Sequence, residues 1–325
     1  MLLVAWESTG ACNLSCSYCR AAAEPEPSAD ELSTDEVKRL IGEIAPLGAM
    51  LIISGGEPLL RQDLFEVARY AADSGVRVSL ASNGTLITPE IVERILISGI
   101  SRVSISLDGA SAGTNDITRG RGSFDLALRG MRALSGRVEF QINMTVTPGN
   151  IDELDPLLDL AEREGAAAVH IFFMVPTGRG RDVESISPEM QRSLLERIAS
   201  EERSIEIRPT CAPQYGRVLM EMGKPHARTA GGCIAGIRFV FISRTGEIFP
   251  CGYFPVSAGS IRERSFSEIW SSSSLLNDLR ERKLKGRCGG CGYVRTCGGC
   301  RARAYALTGD YLGEDPTCAW RGSVG

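Results

Sequence analysis

Long apolar runs are missing from this 325-residue chain. No stretch approaches the roughly twenty apolar residues that cross a bilayer as a helix, so no membrane span is expected. A dominant charge is missing too. The 36 Lys and Arg stand against 40 Asp and Glu, and a formal net charge of −4 gives no bulk attraction for nucleic acid. Histidine is scarce, with His170 and His226 alone, so metal ligation falls to other side chains. There is no internal repeat and no low-complexity tract. Residues 1–6 are too short for a secretory signal and lead straight into a cysteine loop, so a cytoplasmic location is expected. What is abundant is cysteine. Eleven of them, an odd number in a chain expected to sit in a reducing compartment, favour metal ligation over disulfides. A hydrophobic fraction of 43% over this length supports one large domain and a smaller one.

Through the first 175 residues, β-rich runs alternate with helix-like stretches. Strands are expected at 3–6, 50–53, 76–81, 103–107, 140–146 and 169–175. They are dense in Val, Ile and Phe and mostly apolar on both faces, as in parallel strands covered by helices. Helix starts are readable between them. Ser33 with Glu36 makes a capping box before 37–44, Asp63 with Glu66 repeats it before 67–72, and Thr88-Pro89 places Pro in a first turn. Residues 21–29 read as a surface loop. Six β–α units with right-handed crossovers give an α/β fold, an open, partial (β/α)6 barrel of the TIM type. Its chemistry belongs at the carboxyl ends of the strands. The alternation ends after the turn at 176–180. A helix is expected at 188–199, a hairpin from 237–242 and 247–249, and a helix at 265–279. The domain reading is a barrel over 1–185, a bridging region over 186–230 and a small Cys-rich α+β domain over 231–325.

Just after the first strand stands Cys12-Asn13-Leu14-Ser15-Cys16-Ser17-Tyr18-Cys19, a C-x3-C-x2-C run. Three close cysteines can hold a [4Fe–4S] cube by three irons, and no fourth ligand lies nearby in the sequence. Pure electron carriers usually close that corner, whereas an open iron can bind a small molecule. The run resembles the cluster loop of the radical SAM enzymes, whose open iron is chelated by S-adenosylmethionine (SAM). Gly55-Gly56-Glu57-Pro58 follows the second expected strand. Alone it is an ordinary Gly-rich turn, and in this order it resembles the turn that meets the SAM amino group in that family. The resemblance further implies SAM contacts at Ser82, Asn83, Ser106, Asp108 and Asn143, with Arg119 as a guanidinium for the SAM carboxylate. Plain turn chemistry also explains Asn83-Gly84 and Asp108-Gly109. The implied reactive species is a 5′-deoxyadenosyl radical, so no side chain is named as catalytic.

The remaining eight cysteines lie in the C-terminal third. Taken alone, Cys288-x2-Cys291-x5-Cys297-x2-Cys300 reads as a structural zinc site before an iron–sulfur one. The whole pattern resembles the SPASM or twitch-like domain, the auxiliary-cluster module of many radical SAM enzymes. By that resemblance Cys288, Cys291, Cys297 and Cys318 hold one auxiliary [4Fe–4S] cluster. Cys233, Cys251 and Cys300 hold three corners of another, with Cys211 left as a possible fourth ligand. The number of auxiliary clusters stands at one or two.

Longer stretches narrow the resemblance. They are Ala5-Trp6-Glu7, the run from His170 to Gly180, Thr210-Cys211-Ala212-Pro213-Gln214-Tyr215, Phe249-Pro250-Cys251-Gly252-Tyr253 and the run from Cys297 to Tyr305. Together they resemble the heme b synthases of the siroheme-derived heme pathway, over nearly the whole chain. That likeness implies anaerobic, oxidative decarboxylation of two propionates of Fe-coproporphyrin III to vinyl groups. It also implies a low-potential electron donor such as ferredoxin or flavodoxin. A porphyrin's carboxylates call for cations, and Arg179, Arg181, Arg208 and Arg217 are the candidates, each also readable as a solvated surface charge. His170 is either an iron ligand or a packed strand residue. Three other readings are open: a peptide maturase of the same superfamily, another enzyme of the siroheme or heme d1 branch, and a non-catalytic electron-transfer or zinc-organised scaffold.

Overall fold

Seven β-forming runs, each followed by helical chain, line up in parallel: β1 (Leu3–Glu7), β2 (Met50–Ser54), β3 (Arg77–Ser82), β4 (Ile100–Ser106), β5 (Glu139–Val146), β6 (Ala168–Phe173) and β7 (Glu206–Thr210). The computed structural model describes residues 1–225 and 232–320, and His226 lies outside the described residues. The connecting helices are α1 (Thr34–Ile44), α2 (Leu64–Asp73), α3 (Pro89–Ile97), α4 (Ala112–Arg119), α5 (Ser123–Leu134), α6 (Leu154–Glu164), α7 (Pro188–Ser200) and α8 (Tyr215–Glu221). Ser33 caps α1 in a full capping box with Glu36, and Thr88 caps α3 with Pro89 in the first turn, as the sequence predicts. The expected box at Asp63 does not form. Asp63 makes no cap hydrogen bond at α2, because its carboxylate is taken by Arg61 at 2.6 Å and by Thr34.

The sheet is longer than six strands. β7 arises in the expected bridging region and extends the barrel beside β6. It is an edge strand, which is where Pro209 and the charges of Glu206 and Arg208 are tolerated. At the other end, β8 (Phe239–Ile242) pairs in parallel with β1, and β9 (Glu247–Phe249) and β10 (Gly259–Ser260) follow antiparallel. The hairpin therefore covers the free edge of β1, and the C-terminal region shares one sheet with the barrel. The segment expected as a single helix over 265–279 is two, α9 (Phe266–Ser272) and α10 (Ser274–Glu281), divided at Ser273. Two short helices complete the chain, α11 (Gly286–Gly289) and α12 (Arg301–Thr308).

Strands β4 to β6 are not apolar on both faces. Phe140, Ile142, Met144 and Val146 of β5 join the helix-covered core, while Gln141, Asn143 and Thr145 point the other way. Register extends this second face across the sheet: Ser106 sits beside Asn143, Asn143 beside His170, and His170 beside Arg208. A polar row thus runs across one side of the sheet. Helices bury the opposite side, whose hydrophobic contacts supply most of the stability.

Candidate active site

The connection from β1 to α1 carries Cys12, Cys16 and Cys19, all partly buried and free of disulfides. Its backbone lies against the Gly55-Gly56 turn. Gly56 N–H donates to Thr9 O at 2.8 Å and Glu57 N–H to Ala11 O at 2.7 Å. A Cβ on Gly56 would stand 2.1 Å from Ala11 O, and one on Gly55, where φ is +155°, 2.6 Å from Thr9 O. The glycines thus first make room for the cysteine loop's own backbone.

Glu57 is fully buried. Its Oε1 accepts from Ser82 Oγ (2.8 Å) and Leu59 N–H (3.2 Å), and its Oε2 from Asn83 N–H (2.7 Å). Burial pushes its carboxyl up to about 7, against the pull of those hydrogen bonds. Glu57, Ser82 and Asn83 therefore form one unit that fixes the ends of β2 and β3. Asn83 passes the order on, donating to Asn13 Oδ1 at 2.8 Å and reaching Cys12 Sγ at 3.9 Å.

A second unit holds the loop from the other side. Asp108, with no exposed surface, pairs with Arg119 at 2.7 Å and accepts from Tyr18 and Thr118. Its Oδ1 also accepts from Thr145 N–H at 2.9 Å. Both oxygens are occupied, so Asp108 orients its neighbours, and Arg119 is anchored beside Cys16. Burial raises the Cys16 thiol pKa, and Arg119 opposes the rise. Arg179 sits here too, turned away from open solvent. Its Nε donates to Cys16 O at 3.0 Å and its Nη1 to Ala23 O at 2.9 Å. A Cβ on Gly178 would meet Arg20 O at 2.3 Å, so this turn clamps the loop.

Asn143 and His170 are joined through Gln141, whose amide donates to Asn143 Oδ1 at 2.9 Å and meets His170 Nδ1 at 3.0 Å. His170 Nε2 is buried without a partner. Burial, reinforced by nearby Arg208, lowers its pKa to about 4, so the ring is neutral at pH 7. Arg208 pairs with Glu206 on the same strand, and Arg181 is exposed. Arg217 is elsewhere. It is 2% exposed, bonded to Glu221 at 2.8 Å, and lines the cavity formed by the last cysteines.

The eight C-terminal cysteines separate into two groups. Cys211, at the end of β7, shares its surroundings with Cys233, Cys251 and Cys300: Cys233 and Cys300 raise the pKa of Cys211 and Cys251, and Cys233 also raises that of Cys300. Burial is the main cause; it pushes Cys300 up to about 11. Cys288, Cys291, Cys297 and Cys318 line a separate cavity with Gln214, Arg217 and Asp315. Burial pushes Cys297 up to about 12. Thiols so buried stay protonated unless a metal takes the proton's place.

The surroundings suit an anionic metal–sulfur group. Backbone N–H groups of Leu14, Tyr293 and Gly299 donate to Cys12, Cys291 and Cys297 Sγ, each at 3.4 Å, and Arg301 reaches Cys288 Sγ at 3.8 Å. Among the described residues no three His, Cys, Asp or Glu side chains form a group fit for a single metal ion.

Several organising residues lay outside the sequence candidates. Glu7 accepts from Arg20 (3.2 Å) and Arg244 (3.1 Å), tying the cysteine loop to the β8–β9 hairpin. Asp315 is fully buried and accepts from Gln214, Cys300 N–H and Arg303. Glu7 belongs to the run Ala5-Trp6-Glu7, though not as recognisable chemistry, and Asp315 carries no sequence signal.

A parallel α/β sheet with an open three-thiol loop at its carboxyl rim and two four-thiol groups beyond it defines a redox enzyme built around iron–sulfur clusters. The radical SAM superfamily model matches residues 6–161, and an iron–sulfur cluster-binding SPASM domain matches residues 233–300. The AdoMet-dependent heme synthase of Methanosarcina barkeri is 47% identical, covering 98% of this chain and 96% of its own. The mycofactocin maturase MftC of Mycolicibacterium smegmatis is 34% identical over 98% of this chain and 82% of its own. Streptococcus suis SuiB, solved with bound S-adenosylmethionine, shares the fold at a TM-score of 0.77 with 19% identity, covering 98% of this chain and 77% of that one. The chain belongs to the radical SAM superfamily, in the family that includes the M. barkeri heme synthase. It is a SAM-dependent radical enzyme, with S-adenosylmethionine, a [4Fe–4S] cluster and auxiliary clusters as its cofactors.

Proposed function

We propose that this enzyme makes heme b, removing CO2 and hydrogen from two propionates of Fe-coproporphyrin III to leave vinyl groups. The observation that carries the reading is the 47% identity to an AdoMet-dependent heme synthase over 98% of the chain. Cys12, Cys16 and Cys19 hold the SAM cluster, leaving one iron for the cofactor. When bound, cluster and SAM together supply a 5′-deoxyadenosyl radical that takes hydrogen from an unactivated carbon. The chain's part is placement and exclusion of water. The Gly55-Gly56 turn meets the SAM amino group, while Ser106, Asn143 and Arg119 face its ribose and carboxylate. Glu57, Ser82, Asn83 and Asp108 act one step back, by fixing the strand ends and the cysteine loop. Cys288, Cys291, Cys297 and Cys318 hold one auxiliary cluster, and Cys211, Cys233, Cys251 and Cys300 another.

Each decarboxylation takes one electron to split the sulfonium and returns one as CO2 leaves. Arg208 and His170 stand in the polar row next to Asn143, a position suited to substrate propionate and iron. Arg181 is a rim cation for another carboxylate. Arg179 and Arg217 are spent on the cysteine loop and the auxiliary region, so they leave the substrate list. A low-potential donor such as ferredoxin or flavodoxin, and a cytoplasmic setting, complete the reading. No helix among the described residues is long and apolar enough to cross a membrane.

Mass analysis after anaerobic incubation with Fe-coproporphyrin III, SAM and reductant tests it. Two successive losses of CO2 plus two hydrogens are expected. Unchanged porphyrin, with 5′-deoxyadenosine still formed, would move the assignment to the maturase branch that the 34% identity to MftC represents.

A further inference from the structure

The two C-terminal cysteine groups differ in buried charge. Beside Cys211, Cys233, Cys251 and Cys300 (the inner group), the buried cation is Arg303. It donates to Cys211 O at 3.0 Å and is answered by Asp315, with both side chains at most 2% exposed. Beside Cys288, Cys291, Cys297 and Cys318 (the outer group) stand two buried guanidiniums. Arg301 is 4% exposed, reaches Cys288 Sγ at 3.8 Å and otherwise donates to Gly299, Tyr311 and Gly313 carbonyls. It has no carboxylate partner among the described residues. Arg217 shares its one carboxylate, Glu221, with Arg192, at 2.8 and 3.1 Å. The other charges do not cancel this excess. Asp315 serves both groups, Arg282 lies near Cys233 and Cys297 alike, and Arg287 on the rim is matched by Glu314.

A buried cation without a counter-charge is costly unless an anion faces it. We infer that Arg301 and Arg217 tune the outer auxiliary cluster to be the easier of the two to reduce, making it the place where the electron released with CO2 comes to rest. Reduction adds one negative charge, and low-dielectric surroundings enlarge the effect of two neighbouring cations. The electron balance closes. The substrate is oxidised by one electron as CO2 leaves, and the outer cluster is reduced by that electron. This rests on the ligand sets proposed above, but not on the identity of the substrate.

The test is a redox titration of the anaerobically reconstituted enzyme without substrate, followed by electron paramagnetic resonance. Cys291→Ser marks which signal belongs to the outer group. That signal should be reduced at higher potential than the inner one. Arg301→Gln should move its oxidised-to-reduced ratio at fixed potential about tenfold toward oxidised, which for one electron is 59 mV. Arg301→Lys should restore it, Arg217→Gln should act in the same direction by less, and the inner signal should stay put. An outer signal below the inner one, or one unmoved by both Gln variants, would overturn the inference. Should Arg301→Gln lose the outer iron, the parent's order and Arg217→Gln decide. Because no porphyrin is added, this outcome is independent of the product analysis.

Discussion

The cysteine loop of the barrel and the cysteine groups of the C-terminal third use the same ligand in different numbers and among different neighbours. The loop offers three thiols, partly exposed and held from outside by side chains of four elements: Asn83 after β3, Asp108 after β4, Arg119 on α4 and Arg179 after β6. The later groups offer four thiols each, with Cys297 and Cys300 buried and the other six partly buried like those of the loop, and with buried arginines around them. An incomplete ligand set must be positioned by its surroundings, because something else has to fit the open corner. A complete set needs only to be sheltered and tuned. In the function proposed above, chemistry belongs to the first region and electron handling to the second.

The sharpest way to break that division is at the loop. Cys16→Ala should abolish 5′-deoxyadenosine formation, by roughly a thousandfold or more, and lower iron content by about a third if three cubes are present. Cys297→Ala should instead leave SAM cleavage measurable in a single turnover while decarboxylation stops. Next comes the loop's support. Asp108→Ala strands the buried Arg119 guanidinium and should cost about 3–5 kcal/mol in chemical denaturation, as removing one partner of a buried pair does.

A smaller effect separates the arginines. Arg208→Gln should raise KM for the porphyrin about tenfold with little change in kcat, the loss of one charge-assisted contact. Arg179→Gln should lower iron occupancy and leave KM nearly unchanged. The smallest effect is a pH dependence. With its folded pKa pushed up to about 7, Glu57 is favoured protonated, so its contribution is fully present below its unfolded value near 4.5. That contribution is lost as pH rises through 7. Unfolding midpoints should therefore fall between pH 5 and 8, by an amount equivalent to about 3 kcal/mol. Gln at position 57 should flatten that slope.

Signals in the sequence were legible where they are local. The C-x3-C-x2-C run, the Gly-Gly-Glu-Pro turn, the Ser33 capping box and the Thr88-Pro89 helix start all depend on neighbours within a few residues. What could not be read depends on distant partners. Asp63 looked like a cap until Arg61 and Thr34 took its carboxylate. β7 was hidden because an edge strand tolerates charge and proline. β8 was expected as a hairpin strand, but not its parallel pairing with β1, which lies some 230 residues earlier. Arg179 looked like a substrate cation, but the direction of a guanidinium is decided by which carbonyls lie within reach. Asp315 carried no motif at all, and only burial identifies it.

The central claim is that the open corner of the Cys12–Cys16–Cys19 loop binds SAM. Electron paramagnetic resonance of the reduced, anaerobically purified enzyme, recorded before and after adding SAM, tests it most directly. A changed signal from the cluster that Cys16→Ala removes, with 5′-deoxyadenosine and methionine released, is the predicted result. An unchanged spectrum, or protein that holds zinc at that loop, would contradict it.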